Sequence, residues 1–482
     1  MDFKDRIYSV AEIVGISSTG ERIPAAAGRI STLEGDTHEI LEKSLDSEKN
    51  TNLIKKVTRS NHTSILEHTV YNIAFRNVSI LAEQFMIEFR LASFTVKSRR
   101  YVNFGSMGFY VPELDGDYSQ DEFKKNVRAC LNDYNALIER GVPKEDARFL
   151  LPYCVFSNFY CTVNARELLN IIRSAVFGRG RNYPEIKDLG EQLLNQITEM
   201  TPGIAAGFSE RRPELSDKLS LSYLFESKET ARYPEANEQS VVLISHTLDA
   251  EKTVARSALT ASTQLPLSAI DELLEDERNV KTVIDKVLAC SRPRSLEAAV
   301  YTFRINGVSL SEITHFARHR MQSIEIPPYT LIDGKRYVVP ATVKKDPVAL
   351  EIYTKAFERM FTLHRRLKEK GVSPEELVYA RLSGSKLDIM VTMNARELLL
   401  FLRLRTCTRA QWEIRAHAIE MLRILRETSP LIFNRYGPSC FVGKCTEGTL
   451  TCGRTEDMKI IFDPSNKSLS EDVLNKKAAA EG

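Results

Sequence analysis

The pentapeptide Asn164-Ala165-Arg166-Glu167-Leu168 returns 230 residues later as Asn394-Ala395-Arg396-Glu397-Leu398. Other pairs keep that offset: Glu67 with Glu297, Arg90 with Arg320, Ser93 with Ser323, and Gly141-Val142 with Gly371-Val372. Separated matches at one spacing predict an internal duplication, each copy a whole folding unit and not a short solenoid repeat. The polar residues of the two copies are not the same. What one copy lacks, the other can supply.

The 482 residues are 43% hydrophobic and 27% charged, which suits a globular protein of two or three domains with ample core. A net charge of +2 predicts no strong pull toward DNA or RNA, although local basic clusters can still hold phosphates. No run of about 18 apolar residues predicts a membrane span, and Met1 to Arg6 leads into no apolar signal core. A cytoplasmic location is the default expectation. Eight cysteines in a chain of this length do not read as a disulfide scaffold.

Helical signals dominate. Ser79 to Phe94 is mostly apolar, Asp121 to Gly141 is amphipathic and closed by glycine, and a helix starts at Asn164. Short β-branched runs at 70–75, 241–245 and 300–305 read as strands. The expected fold is α+β: two similar units, each a small mixed or antiparallel sheet packed with helices. The expected boundaries are 1–210, a connector at 211–239 with some helix near 219–225, a second unit at 240–455, and a disordered tail at 456–482.

Two segments stand out chemically. Arg318-His319-Arg320 with Ser323 places cationic and hydrogen-bonding groups in a row, suited to a phosphate or a ring carbonyl, or simply to a solvated basic turn. Arg405, Arg409 and Glu413 recur every four residues, which predicts one helix face continuing the helix that begins at Asn394. The bland alternative is an ion-paired surface stripe. Cys440, Cys445 and Cys452 form a Cys-x4-Cys-x6-Cys run without a paired Cys-x-x-Cys or a nearby histidine, so a metal-free tail is expected, with zinc the minor alternative. Cys130, Cys154, Cys161, Cys290 and Cys407 read as core or helix residues.

Arg-His-Arg-x-x-Ser, then Asn-Ala-Arg-Glu-Leu-Leu, then Arg-Ala-Gln-Trp-Glu-Ile-Arg, closed by Gly437-Pro438-Ser439-Cys440 and Gly443-Lys444-Cys445, resembles the flavin-dependent thymidylate synthases. The first copy is similar more weakly, through 62–68, Arg90 to Ser93, Ser98 to Tyr101 and 142–152. The resemblance implies an enzyme, a methyltransferase with bound FAD that converts dUMP to dTMP. NADPH and methylenetetrahydrofolate would be co-substrates, and no metal is implied. It also implies a homo-oligomer: family members are homotetramers with sites shared between subunits, so two duplicated chains would make a pseudo-tetramer. Alternatives are a flavin enzyme of the same fold acting on another pyrimidine nucleotide, and a non-catalytic nucleotide- or flavin-binding homologue.

The departures sort by copy. Glu88 and Phe89 replace the first Arg and the His of Arg-His-Arg in the first copy, and Ala175 stands nearest the expected ring-contacting arginine. In the second copy Pro328-Tyr329-Thr330 replaces the Ser-x-Arg loop, Val378 replaces an arginine, and only Glu297 survives of the His and Glu motif. The resemblance therefore implies a composite site. The first copy would bring Ser31, His62, Ser64 and Glu67 toward the flavin and Ser98, Arg100 and Arg148 toward the nucleotide phosphate. The second would bring Arg318, His319, Arg320, Asn394, Arg396 and Arg409 toward the flavin, with Arg318 and Arg405 catalytic at the pyrimidine. Thr95-Val96 and His315 stand where the family has Asn-Glu and Gln, which leaves the identity of the nucleotide open.

Overall fold

The computed structural model describes residues 9–60, 62–114, 116–206, 239–332 and 334–470. The expected helix near 219–225 lies outside them. The chain forms two compact units, one of Met1–Tyr233 with Tyr329–Ser385, the other of Pro234–Pro328 with Lys386–Gly482. Each holds one four-stranded antiparallel sheet, so the α+β class is as expected.

In the first unit the strands are β1 (Val10–Ile16), β2 (Val70–Ser79), β3 (Ser93–Val96) and β4 (Phe156–Asn164), in the order β1-β2-β4-β3. In the second they are β5 (Val241–His246), β6 (Val300–Ser309), β7 (Ser323–Glu325) and β8 (Lys386–Asn394), in the order β5-β6-β8-β7. The register repeats with the sequence: Val70 faces Asn164 and Val300 faces Asn394. Both central strands bulge at the same place, between Phe75 and Val78 and between Ile305 and Val308. The bulge needs a left-handed residue, supplied by Asn77 (φ 51°) in one copy and Gly307 (φ 73°) in the other. Asn158 and Asp388 accept from those two backbone N–H groups at 3.0 and 2.8 Å.

The helices repeat as well. Those that frame the sheets and the site are α1 (Ser47–Arg59), α2 (Ile80–Ile87), α3 (Asp117–Glu139), α4 (Ala165–Val176), α5 (Pro184–Met200), α6 (Glu277–Ala289), α7 (Leu310–Phe316), α8 (Pro347–Glu369), α9 (Ala395–Arg405), α10 (Trp412–Thr428) and α11 (Thr455–Ile461). Asn164 and Asn394 open the shared pentapeptide as N-caps, each accepting from the Glu N–H three residues on at 2.9 Å. The apolar segment from Ser79 is helical only to Ile87, because the chain must turn into β3. The segment expected as a tail begins with α11, whose Met458 and Ile461 are buried; residues 471–482 lie outside the described residues.

Buried polar groups are satisfied in parallel. Tyr71 hydroxyl meets Thr201 at 2.6 Å and Tyr301 hydroxyl meets Ser429 at 2.7 Å. Glu185 accepts from Ser79 N–H at 2.7 Å, and Glu413 accepts from Ser309 N–H and hydroxyl at 3.2 and 2.6 Å. Both carboxylates thus stand behind the strand-to-helix corner that opens α2 or α7.

Within the first unit, α3 packs along α8, tied by Arg359–Asp133, Arg366–Glu122 and Arg140–Asp346. Beside them the backbones of 149–154 and 379–384 exchange hydrogen bonds. Tyr153 N–H donates to Arg381 O and Ser383 N–H to Leu151 O, at 2.8 and 2.9 Å. Cys154 N–H donates to Tyr379 O and Gly384 N–H to Phe149 O, at 3.0 and 2.9 Å. Each bond recurs with partners exchanged, the pattern of an isologous two-fold contact made within one chain. No helix among the described residues is long and apolar enough to cross a membrane.

Two predictions follow from the repeat. Gly141 and Gly371 both adopt φ 85° with open space where a Cβ would sit, so Gly141→Ala and Gly371→Ala carry only the backbone penalty. Each is expected to lower stability by about 1 kcal/mol in urea unfolding. The second concerns Glu413. Burial, reinforced by the Glu312 carboxylate, raises its pKa from 4.5 to about 8. A raised carboxyl pKa favours the folded state in its protonated form. That contribution is full below pH 4.5 and is lost as pH rises through about 8. Glu413→Gln is expected to flatten the fall in melting temperature over this window.

Candidate functional site

In the second unit, Arg318-His319-Arg320 forms the turn between α7 and β7. The turn alternates the side chains, leaving Arg318 and Arg320 exposed and burying His319. The His319 ring packs edge-on against Phe401 of α9, with centroids 4.9 Å apart. Its Nδ1 lies 3.1 Å from Glu397 Oε1. Arg405, the last residue of α9, donates from Nε to His319 Nε2 at 2.9 Å and from a terminal nitrogen to His315 O at 3.1 Å. A guanidinium N–H only donates, so Nε2 accepts and the imidazole proton sits on Nδ1, facing the carboxylate. Burial holds the His319 pKa below its ordinary value, against the opposing pull of Glu397. The result is a fixed row, Glu397, neutral His319, then cationic Arg405, with exposed Arg318 as a chain neighbour. Such a row presents directed N–H donors to an anionic or carbonyl-bearing ligand.

The expected common face of Arg405, Arg409 and Glu413 is not formed. Helix α9 ends at Arg405, with Thr406 as C-cap, and α10 starts only at Trp412, where the Gln411 side chain accepts from the Glu413 and Ile414 N–H groups. The intervening loop breaks the four-residue spacing. Glu413 turns inward to Ser309, and Arg409 donates to Leu450 O and Thr451 O. Beneath α7, Glu312 Oε1 meets His417 Nδ1 at 2.7 Å. Burial alone would lower the His417 pKa, but the Glu312 carboxylate outweighs it and raises it.

Asn394 and Arg396 open α9. Asn394 spends its side-chain oxygen on the cap, and Arg396 pairs with Glu297, as Arg166 pairs with Glu67 at 2.6 Å in the first copy. Asn-Ala-Arg and the upstream Glu are thus first of all a shared scaffold.

In the first unit, the residues matched to Arg318 and His319 are Glu88 and Phe89. Glu88 does not stand as a bare repelling charge. Arg179 pairs with it, Tyr329 hydroxyl donates to it at 2.8 Å and Gln84 at 3.1 Å. The Arg179 guanidinium also lies 4.7 Å from the Phe85 ring centroid and 5.7 Å from that of Phe89. The protein's own ion pair occupies the place that the second unit gives to Arg318.

Arg100 and Arg148 both meet Glu145, and Ser98 joins them through the Arg100 backbone. Arg100 pairs with Glu145 at 2.9 Å, Arg148 donates from Nε to Glu145 O at 3.1 Å, and Ser98 hydroxyl accepts from Arg100 N–H at 3.3 Å. Between them in sequence, Arg99 turns away into a buried two-point pair with Glu83 at 2.7 and 2.9 Å. His62, Ser64 and Glu67 line the exposed side of the 3-10 turn Thr63–His68. Ser31 sits in the exposed turn after the helix Arg22–Arg29.

Sequence reasoning missed three participants. Glu397 was visible, but its presence in both copies pointed to descent and not to His319. Glu145 stands three residues before Arg148, a one-turn spacing that could have flagged it. Arg179 lies in the glycine-rich loop after α4, and only packing shows that it neutralises Glu88. Two cysteine expectations also need correction. Cys290 is exposed, because α6 ends there, and Cys407 lies in the loop after α9 and not in a helix.

A family model described as thymidylate synthase complementing protein matches residues 12–203 and again 242–431. The chain belongs to this family. The two matches make it a tandem duplication of the family's fold. A flavin-dependent thymidylate synthase of Geobacter sulfurreducens is 36% identical over 228 residues, which span 46% of this chain and 97% of that protein. One of Clostridium tetani is 31% identical, spanning 46% of this chain and 96% of that protein. Among solved structures, a UMP/dUMP methylase, PolB, from Streptomyces cacaoi bound with 5-Br dUMP matches with 24% identity and a TM-score of 0.36, over 42% of this chain and 96% of that one. A family member of ordinary length therefore corresponds to about half of this chain.

The fixed tautomer has a direct test. Nitrogen NMR of ring-labelled protein is expected to show His319 neutral and protonated on Nδ1 at pH about 6.5, where an ordinary histidine is half protonated. Replacing Arg405 with Met, which removes the donor to Nε2, is expected to relax that tautomer preference.

Proposed function

We propose that the chain is an FAD-dependent enzyme that methylates dUMP reductively to dTMP, taking the carbon from methylenetetrahydrofolate and the hydride from NADPH. The observation that carries this reading is the Glu397–His319–Arg405 row, which lies on the very motifs most similar to the family. The donor set suits both ligands. Exposed Arg318 and Arg320 match a diphosphate, and the Ser98, Arg100 and Arg148 group matches a nucleotide monophosphate. The flavin would supply the redox chemistry.

The chain's own residues have simpler tasks. Arg405, held by His319 and by the His315 carbonyl, directs a cationic donor at the pyrimidine, with Arg318 beside it. This would stabilise negative charge developing on the ring carbonyl. Arg100 would exchange its Glu145 partner for the nucleotide phosphate, with Arg148 and Ser98 adding donors. His319, Arg320, Asn394, Arg396 and Arg409, with Ser31, His62, Ser64 and Glu67, are assigned to the flavin. The complementary losses of the two copies support a site that draws one residue set from each copy, in a homo-oligomer of two chains forming a pseudo-tetramer. The filled Glu88–Arg179 position supports a single live set of ring-contacting arginines per chain.

One observation favours a second reading, the same chemistry on another pyrimidine nucleotide. His315, where the family has a nucleotide-holding Gln, is buried on α7.

Purified protein is expected to be yellow, and dUMP is expected to perturb its flavin spectrum. Charge-assisted hydrogen bonds contribute roughly 1.5–3 kcal/mol each, so Arg318→Ala and Arg100→Ala should each weaken dUMP binding about 10- to 150-fold. A colourless protein that takes up no FAD would sink the flavin reading. If either arginine proves dispensable, the composite assignment fails. A nucleotide panel that ranks another pyrimidine above dUMP would establish the second reading.

A further inference from the structure

Four of the eight cysteines come together in the second unit, on a feature that the proposed reaction does not use. Cys407 enters from the loop between α9 and α10, Cys440 from the short helix Ser439–Val442, Cys445 from the bend after it, and Cys452 from the segment after the 3-10 turn Gly448–Leu450. All four line one small open cavity. Three belong to the Cys-x4-Cys-x6-Cys run. The fourth, Cys407, is 33 residues upstream of Cys440 and is brought in by the tertiary fold.

We propose that these four thiols form a binding site for a single thiophilic divalent cation, Zn2+, held by Cys407, Cys440, Cys445 and Cys452. Zinc takes four thiolates in a tetrahedron, and closed four-cysteine sites of this kind are structural. The surroundings suit it. Arg403 and Arg409 also border the cavity and, against the single carboxylate of Glu447, would offset part of the negative charge that four thiolates leave on a Zn2+ ion. The chain that carries Cys445 and Cys452 bends at Gly448 (φ 54°) and Gly453 (φ 75°), so it can wrap around a small centre. Arg409 clamps it through Leu450 O and Thr451 O. Among the described residues no three His, Cys, Asp or Glu side chains already stand at ligating geometry. Uptake therefore requires the four thiols to draw together around the ion, with release of the thiol protons.

Mutual repulsion keeps four thiolates from coexisting in one cavity, and a divalent cation removes it. The site also has a structural consequence. Cys407 follows Arg405 by two residues, so closing the cavity would stiffen the loop at the end of α9 and help hold Arg405 against His319.

The test uses the full chain, purified under reducing, oxygen-free conditions. Elemental analysis is expected to find one zinc per chain. After removal by chelator, added Co2+ is expected to give an intense sulfur-to-cobalt charge-transfer band and the visible bands of a tetrahedral ion. Cys445→Ser and Cys452→Ser, at more exposed positions that folding tolerates, should each weaken or abolish the charge-transfer band. Cys290→Ser, an exposed cysteine elsewhere, should leave it unchanged. Circular dichroism of each variant separates loss of the site from loss of the fold. The proposal is overturned if Co2+ produces no such band, if the band survives Cys445→Ser and Cys452→Ser together, if iron with sulfide occupies these cysteines, or if mass spectrometry finds them paired as disulfides in the protein as first isolated. None of these readings depends on flavin or nucleotide binding.

Discussion

Backbone pairing between 149–154 and 379–384 is the contact on which the first unit depends. Main-chain N–H and C=O groups buried without partners would each be unfavourable by about 1–3 kcal/mol, and here each copy satisfies the other's. The flanking residues Phe149, Leu150, Leu151, Tyr153 and Cys154 are buried, as are Tyr379, Ala380 and Leu382. The exchanged-partner pattern is what a two-fold contact between identical chains would make. Duplication has enclosed it in a single chain, which is why residues 329–385 of the second copy belong to the first compact unit.

With that contact covalently linked, the copies were free to diverge in chemistry while keeping their scaffold. The retained features are corners and caps: Asn164 and Asn394, Glu185 and Glu413, Tyr71 and Tyr301, and the ion pairs of Glu67 and Glu297. The caps, carboxylates and tyrosines satisfy buried or partly buried polar groups, so losing one would harm the fold in either copy, whereas the Glu67–Arg166 pair is exposed. The divergent features are side chains whose loss harms only binding. Glu88 in place of Arg318 is tolerated because Arg179 pairs with it, and an ion pair broken on one side leaves an uncompensated charge. That coupling helps explain why Glu88 and Arg179 are found together in the first copy.

The second unit builds its candidate site from two sequence segments and one unforeseen partner. Arg-His-Arg was legible as a cluster, but which side chain turns inward depended on the turn after α7. The buried member is the histidine, which sheds its charge at less cost than an arginine would. The arginine stripe was misread because a four-residue spacing is evidence for a helix face only while the helix continues, and Thr406 with the Gln411 cap interrupts it. The substrate-side arginines show the same limit. Ser98-Arg99-Arg100 looks like one basic run, yet Arg99 is committed to Glu83 and only Arg100 reaches Glu145.

Local pattern was enough, from sequence by itself, to establish the duplication, the α+β class, the starts of α4 and α9 at Asn164 and Asn394, and the family. All of these rest on residues close in the chain or on an offset that can be counted. Tertiary structure alone decided which polar groups meet: Glu397 with His319 and Arg405, Arg179 with Glu88, Glu145 with Arg100 and Arg148, and Cys407 with the three later cysteines. Those partners lie up to about a hundred residues apart, and no local periodicity encodes the sheet register and helix ends that bring them within a hydrogen bond's length.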